Sequence, residues 1–417
     1  MNIEIPSELL PREGRFGSGP SRPRTGLPAS LGGAEGLVGT SHRQAPVKAL
    51  VRRIREGLAE FFDAPAGYEV ILGNGGASLV WDAIAFTGVR RRAQAAVFGE
   101  FTRKAAAAAA RAPWTDCSTV EAAAGEVALC DDGAADRGRD GAEAGATGGA
   151  EAGATGGGAA AEDLAAGLSR PSLPGADGLA DTAEPEAVDA YMYAHNETST
   201  GAISPVRRFG RGQALTFVDA TSSAGGVAVD VGETDLYYFS PQKCFGAEGG
   251  LWLALASPAA LARFEKLAGE RYVPDILNLH LAAANSRADQ TLNTPSIVNL
   301  AILASQIDWM LESGGLAAMD ARCRRSSGIL YEWAERSDFA APFVSPQWRS
   351  PVVATIDIDE AIPADALRRV LRANGILDVD PYRSLGRNQL RVATFPNVEA
   401  DDVEALTACV DYVAERM

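Results

Sequence analysis

The sequence predicts an α/β protein with a large domain built on a sheet covered on both faces and a small C-terminal α/β domain. Three observations carry this expectation. Short apolar runs at 190–195, 215–219, 236–239 and 251–255 stand between turns, the pattern of strands buried on both faces. A strand-like 68–72 passes through the turn Gly73-Asn74-Gly75-Gly76-Ala77-Ser78 into a helical stretch from Leu79, the strand–turn–helix order of an α/β unit. From about residue 351 the pattern reads strand, helix, strand, strand, helix.

In chain order, residues 47–62 have helical periodicity, with Pro46 at a plausible first helical position. After the glycine turn and its helix, composition breaks at 131–185. This stretch is rich in glycine and alanine, without aromatic residues, and its unit at 141–148 is repeated at 149–156. Such a segment buries too little apolar surface to offset its ordering entropy and reads as a flexible insertion. The four apolar strands follow, then long helices at 296–312 and 317–336. The last part reads as strand 352–356, helix 364–373, strands 376–379 and 389–394, and helix 400–416. The expected organisation is an N-terminal arm at 1–45, a large domain at 46–315 and a small domain at 316–417.

A net charge of −16 argues against a general nucleic-acid binder, which needs clustered cations. Five cysteines at 117, 130, 244, 323 and 409 show neither CxxC nor metal spacing, and three histidines are far apart. A reduced, cytoplasmic setting without a metal site is expected. No basic-then-apolar leader opens the chain, and no apolar stretch reaches the roughly 18 residues of a membrane span.

The chemistry is concentrated in two strings. Phe217-Val218-Asp219 ends an apolar strand, and Ser240-Pro241-Gln242-Lys243 follows the next one. A lysine on a turn downstream of a buried strand-end aspartate is what pyridoxal phosphate requires. The amine condenses with the cofactor aldehyde, and the carboxylate keeps the pyridine nitrogen protonated. The glycine turn before the helix offers backbone N–H groups to one phosphate. It matches neither a Walker A loop nor GxGxxG, so nucleotide binding is not its natural reading. His195-Asn196-Glu197-Thr198-Ser199-Thr200-Gly201 places small polar side chains at a strand end, suited to a ring oxygen or to an ordinary turn. Arg391 falls on an expected strand, where a bound carboxylate would explain an otherwise unpaired charge. Arg383 and Arg387 read as loop cations, by default solvated.

These strings, together with Gly17-Ser18-Gly19-Pro20, Ser41-His42-Arg43, Asn293-Thr294-Pro295 and Gly386-Arg387-Asn388-Gln389-Leu390-Arg391, resemble phosphoserine aminotransferase, of the class V group of fold-type I pyridoxal phosphate enzymes. The likeness is to its actinobacterial branch and covers nearly the whole chain except 131–185 and the first dozen residues. It implies a large, mainly parallel seven-stranded sheet and a homodimer with shared active sites. It implies that L-glutamate and 3-phosphohydroxypyruvate become 2-oxoglutarate and O-phospho-L-serine, ping-pong through pyridoxamine phosphate, in serine biosynthesis. A related phosphorylated keto acid of pyridoxine synthesis stays open as a second acceptor.

The resemblance also assigns roles. Lys243 holds the cofactor and moves the proton, and Asp219 binds the pyridine nitrogen. Thr198 and Gln242 contact the phenolic oxygen and the phosphate side. Gly76, Ala77 and Ser78 supply the glycine-turn phosphate contacts, and Phe101 stacks on the ring where many relatives have tryptophan. Asn293 and Thr294 reach the partner subunit's cofactor phosphate. Arg391 takes the α-carboxylate, while His42, Arg43 and Arg383 serve the distal anion. Ser78 stands where some relatives have arginine. Rival readings are a serine– or alanine–glyoxylate aminotransferase, a cysteine desulfurase using Cys244 or Cys323, and a non-enzymatic scaffold of the same fold.

Overall fold

The computed structural model describes residues 3–27, 36–131, 187–210 and 212–417. Of the insertion expected over 131–185, all but Asp131 lies outside these residues. Helix α1, Ala45–Phe61, turns its apolar face inward through Val47, Leu50, Val51, Ile54, Leu58 and Phe61, the i, i+3, i+4 spacing of a half-buried helix. Strand β1, Glu69–Asn74, leads into α2, Ala77–Thr87. There follow β2, Arg92–Val97, α3, Glu100–Arg111, and β3, Asp116–Glu121. Strand β4, Ala190–Ala194, is followed by a two-stranded ribbon of β5, Asn196–Glu197, and β6, Ala202–Ile203. Strands β7, Leu215–Asp219, β8, Leu236–Phe239, and β9, Leu251–Ala256, complete the large sheet.

Its seven strands run in the order β1-β9-β8-β7-β4-β2-β3. The pairs β3/β2, β2/β4, β4/β7 and β7/β8 are parallel, and β9 is antiparallel to both neighbours. The apolar runs are continuous because each strand feeds two cores. Leu251, Leu253 and Leu255 pack with α1 and with α6, Ile297–Glu312. Trp252, Ala254 and Ala256 pack on the other face with α2, with α4, Pro258–Glu270, and with α5, Leu279–Arg287. Each large apolar side chain fully buried this way contributes about 1.5–3 kcal/mol relative to exposure.

After α7, Gly315–Arg336, comes an antiparallel three-stranded sheet of β10, Ala340–Pro342, β11, Val353–Ile358, and β12, Gln389–Ala393. Helices α8, Ala364–Ala373, and α9, Ala400–Ala414, complete this part. Its core takes in Ile5 and Phe16 from the N-terminal arm. The buried ion pair Arg22–Asp402, 2.8 Å, fixes the arm to α9.

Several element expectations need correction. Helix α2 starts at Ala77 rather than Leu79, because the turn closes where the Ala77 N–H meets Ser240 Oγ at 2.8 Å. The strand expected at 376–379 does not join the small sheet. Leu377 bridges Arg15 instead, and its N–H donates to the Gly14 carbonyl at 2.8 Å. Strands β2 and β3 were not anticipated. The first is half alanine, and the second is an edge strand largely open to solvent.

Candidate active site

The C-terminal ends of β1, β4, β7 and β8 meet on one side of the sheet, where ligands of open α/β sheets bind. A cavity of about 190 Å³ lies there. Gly76, Ala77, Ser78, Phe101, Thr198, Asp219, Gln242 and Lys243 all line it, joined by Trp81, Ala194, Asn196 and Thr221.

Asp219 ends β7 and is 8% exposed. Its Oδ1 accepts from the Thr221 N–H at 2.9 Å and from Thr221 Oγ1 at 2.6 Å. Its Oδ2 accepts from Trp81 Nε1 at 2.8 Å. Burial pushes this carboxyl above its usual range, while Thr221 and Trp81 pull it back toward ionisation.

Lys243 sits on the turn after β8. Burial, and then the nearby Arg391 charge, lower its pKa to about 8, so a useful fraction of the amine is neutral near physiological pH. Its Nζ donates to the Ser18 carbonyl. The arm passes so close that a Cβ on Gly19, whose φ is +156°, would stand 2.1 Å from Nζ. Any side chain there would displace the lysine amine, and that φ is one that residues with a Cβ rarely adopt. The Gly17-Ser18-Gly19 string is therefore the roof of the lysine pocket.

At the other end, α2 begins without a side-chain cap at Gly76. Ser240 Oγ takes the Ala77 N–H and in turn donates to the Leu251 carbonyl at 2.9 Å. The serine of Ser240-Pro241-Gln242-Lys243 thus locks the helix start beside the lysine turn. The first helical turn presents its N–H groups and positive dipole end to an anion.

Thr198 Oγ1 donates to Ser222 Oγ at 2.7 Å. The Thr198 carbonyl accepts from Arg391 at 3.3 Å. Arg391 projects from β12, and burial lowers its pKa. Its guanidinium lies 5.5 Å from the Tyr382 ring centroid, and Tyr382 meets Phe101 edge-on at 5.4 Å. Arg391 Nε, Gln242 Oε1 and Asn196 Oδ1 are buried and unpartnered among the described residues. Orphaned polar atoms around a cavity signal a ligand that completes them.

The remaining expected residues do not line this cavity. Asn293 donates its N–H to Asn74 Oδ1 at 3.1 Å. Thr294 Oγ1 meets His42 Nδ1 at 3.2 Å. Arg43 and Arg383 are exposed. Arg387 pairs with Asp357 at 2.5 Å. Trp81 and Thr221 are cavity residues that the sequence reading missed. Trp81 was legible in principle, since it lies four residues after Ala77 and hence on the same helical face. Cys244 is fully buried, in an apolar cluster with Cys323 and Phe395, and burial pushes its thiol far up. That environment is the opposite of a reactive cysteine's.

The residues present fit pyridoxal phosphate: a half-buried lysine with a depressed pKa, a buried strand-end carboxylate, an open helix start and unpartnered amide oxygens between them. Residues 179–377 match the model of the class V aminotransferases. A phosphoserine aminotransferase of a Nocardioides species is 45% identical over 100% of this chain and 99% of its own length. The chain belongs to the phosphoserine aminotransferase family. A Mycobacterium avium chain bearing the same name provisionally is 48% identical over 100% of this chain and 98% of its own. The crystal structure of a phosphoserine aminotransferase from Cytophaga hutchinsonii superposes with a TM-score of 0.77 at 20% identity, covering 96% of this chain and 98% of that one. The fold-type I architecture expected from the sequence is thus the observed one, and the enzyme is a pyridoxal phosphate-dependent transaminase.

Proposed function

We propose that this enzyme moves the amino group of L-glutamate to 3-phosphohydroxypyruvate, giving 2-oxoglutarate and O-phospho-L-serine, as a cytoplasmic homodimer serving serine biosynthesis. The observation that carries the substrate reading is Arg391. A half-buried guanidinium with a buried, unpartnered Nε, close enough to Lys243 to depress it, suits the α-carboxylate common to both amino acids.

Bound pyridoxal phosphate supplies the electron sink for the carbanion formed when the α-proton leaves. The chain's own residues do the rest. Lys243 Nζ holds the cofactor and carries the proton away from the α-carbon. Asp219, steadied by Trp81 and Thr221, holds the pyridine nitrogen in its protonated form. Gly76, Ala77 and Ser78 take the cofactor phosphate, Thr198 and Gln242 take its polar edge, and Phe101 covers its face.

His42 and Arg43, with Asn293 and Thr294, act on the partner subunit's cavity. The His42–Thr294 contact supports moving the two sets together. Arg383 joins them as a cation for the distal phosphate or γ-carboxylate. A glyoxylate-type aminotransferase would need one anion clamp only. No helix among the described residues is long and apolar enough to cross a membrane.

The test is a panel of keto acids with and without phosphate, assayed with glutamate as donor. Efficient use of 3-phosphohydroxypyruvate over pyruvate and glyoxylate supports the reading, and preference for glyoxylate overturns it.

A further inference from the structure

Glu197 has no role in the chemistry described so far, yet it is 0% exposed. Its Oε2 accepts from the Thr102 N–H at 2.8 Å and from Thr102 Oγ1 at 3.0 Å. Its Oε1 accepts from the Ser199 N–H at 3.0 Å and from Ser199 Oγ at 2.7 Å. Ser199 Oγ in turn accepts from the Glu100 N–H at 3.0 Å. At the start of helix α3 Gly99 has no side chain to cap the first turn; Thr102 Oγ1 takes the Phe98 and Gly99 N–H groups, and this carboxylate, from a turn 95 residues away, takes the Thr102 N–H. All four partners are donors. An acceptor-only group is required, and a buried carboxylate is tolerable only when its oxygens are filled in this way.

The two sides of this clasp are two walls of the cavity. Phe101 lies between Glu100 and Thr102, and Thr198 lies between Glu197 and Ser199; both line the cavity. Thr198 also carries the carbonyl that Arg391 holds at 3.3 Å. The approach is tight. A Cβ on Gly99 would lie 2.3 Å from Glu197 Cγ and 2.5 Å from its Cδ. The backbone at Gly99 is extended, so space rather than conformation demands glycine there.

We propose that Glu197 is a positioning residue: its carboxylate clasps the start of α3 to the 197–200 turn and so fixes where Phe101 and Thr198 stand relative to each other in the cavity wall. The inference rests on the cofactor reading above and adds what holds the two cofactor-facing residues in register. Misplacements of about half an ångström in such a wall are felt in binding and in the alignment of reacting groups.

Glu197→Gln is the first variant. An amide keeps one acceptor and turns an NH₂ against two donors. Apo-protein titrated with pyridoxal phosphate, followed by absorbance, gives the dissociation constant apart from any turnover. The variant should bind about tenfold to a hundredfold more weakly, the loss that one or two charge-assisted hydrogen bonds correspond to. Gly99→Ala keeps the carboxylate but forces the two walls apart, and should weaken binding in the same direction. It decides the matter if Glu197→Gln does not fold. Asp235→Asn is the control. Asp235 is an equally buried acceptor, holding the Thr216 N–H at 2.9 Å and Ser257 Oγ at 2.7 Å before β8 begins. It should lower the melting temperature while leaving cofactor affinity within about twofold of wild type. Wild-type affinity in Glu197→Gln, or in Gly99→Ala where the first is unfolded, overturns the proposal. Failure of the wild-type protein to bind pyridoxal phosphate at all would instead overturn the cofactor reading itself.

Discussion

Trp81 Nε1 donates to Asp219 Oδ2 at 2.8 Å, joining the first helix after the glycine turn to the acid at the end of β7. This bond opposes the burial that pushes the Asp219 carboxyl up. Trp81→Phe keeps the aromatic wall and deletes the donor. One hydrogen bond to a charged acceptor is worth about 1.5–3 kcal/mol, so kcat/KM should fall at least about tenfold. The sign of the pH effect follows. With Trp81 gone the carboxyl titrates higher still, the ionised form is lost at a higher pH, and the acid limb of the rate profile moves upward. An unmoved acid limb would separate Trp81 from the state of Asp219.

Lys243 and Arg391 are coupled through charge. Burial and then Arg391 hold the lysine at about 8, below its ordinary value. Below that pH the amine is mostly protonated and cannot attack an aldehyde. The rate at which apo-protein captures pyridoxal phosphate should therefore rise through about pH 8. Removing the neighbouring cation in Arg391→Ala should raise the lysine pKa and shift that rise to higher pH. A downward shift would contradict the coupling.

Arg391 and Arg43 should fail in different ways. If Arg391 holds the α-carboxylate as proposed, Arg391→Ala should damage every amino donor. If Arg43 serves the distal anion as proposed, Arg43→Ala should weaken phosphoserine by about one to two orders of magnitude in catalytic efficiency, with much less effect on alanine. The ratio of efficiencies for the two substrates in each variant is the measurement. Equal losses for both in Arg43→Ala would remove the distal-anion role.

The shared-site proposal predicts complementation. A Lys243→Ala chain mixed with a chain altered at Asn293 and Thr294 should regain part of the wild-type activity, because one hybrid site receives both intact halves. Heterodimers confirmed by mass spectrometry yet wholly inactive would argue for self-contained sites.

Much of the site was legible because its residues sit in short local strings. Asp219 ends an apolar run, Lys243 follows a turn, and Gly76 to Ser78 open a helix, so position along the chain already states geometry. Trp81 was hidden because a tryptophan in an apolar helix reads as core, and the Asp219 carboxylate it meets comes from β7, far along the chain. Glu197 was visible as part of a polar turn, but its partner Thr102 stands 95 residues earlier, and local pattern does not encode that pairing. Strand β2 was hidden for another reason, because alanine replaces the β-branched residues that mark strands. At 376–379 no strand forms: Leu377 makes a single bridge to Arg15, and Asp378 stands at φ +64°, outside the extended region. Pairing with Arg15 is a long-range choice that local pattern does not encode.

The most direct test of the whole account is chemical. Holoenzyme reduced with borohydride, digested and mapped by mass spectrometry should carry the pyridoxyl label on Lys243 and on no other lysine, and Lys243→Ala should carry none. A label on any other lysine would contradict the placement of the cofactor in this cavity.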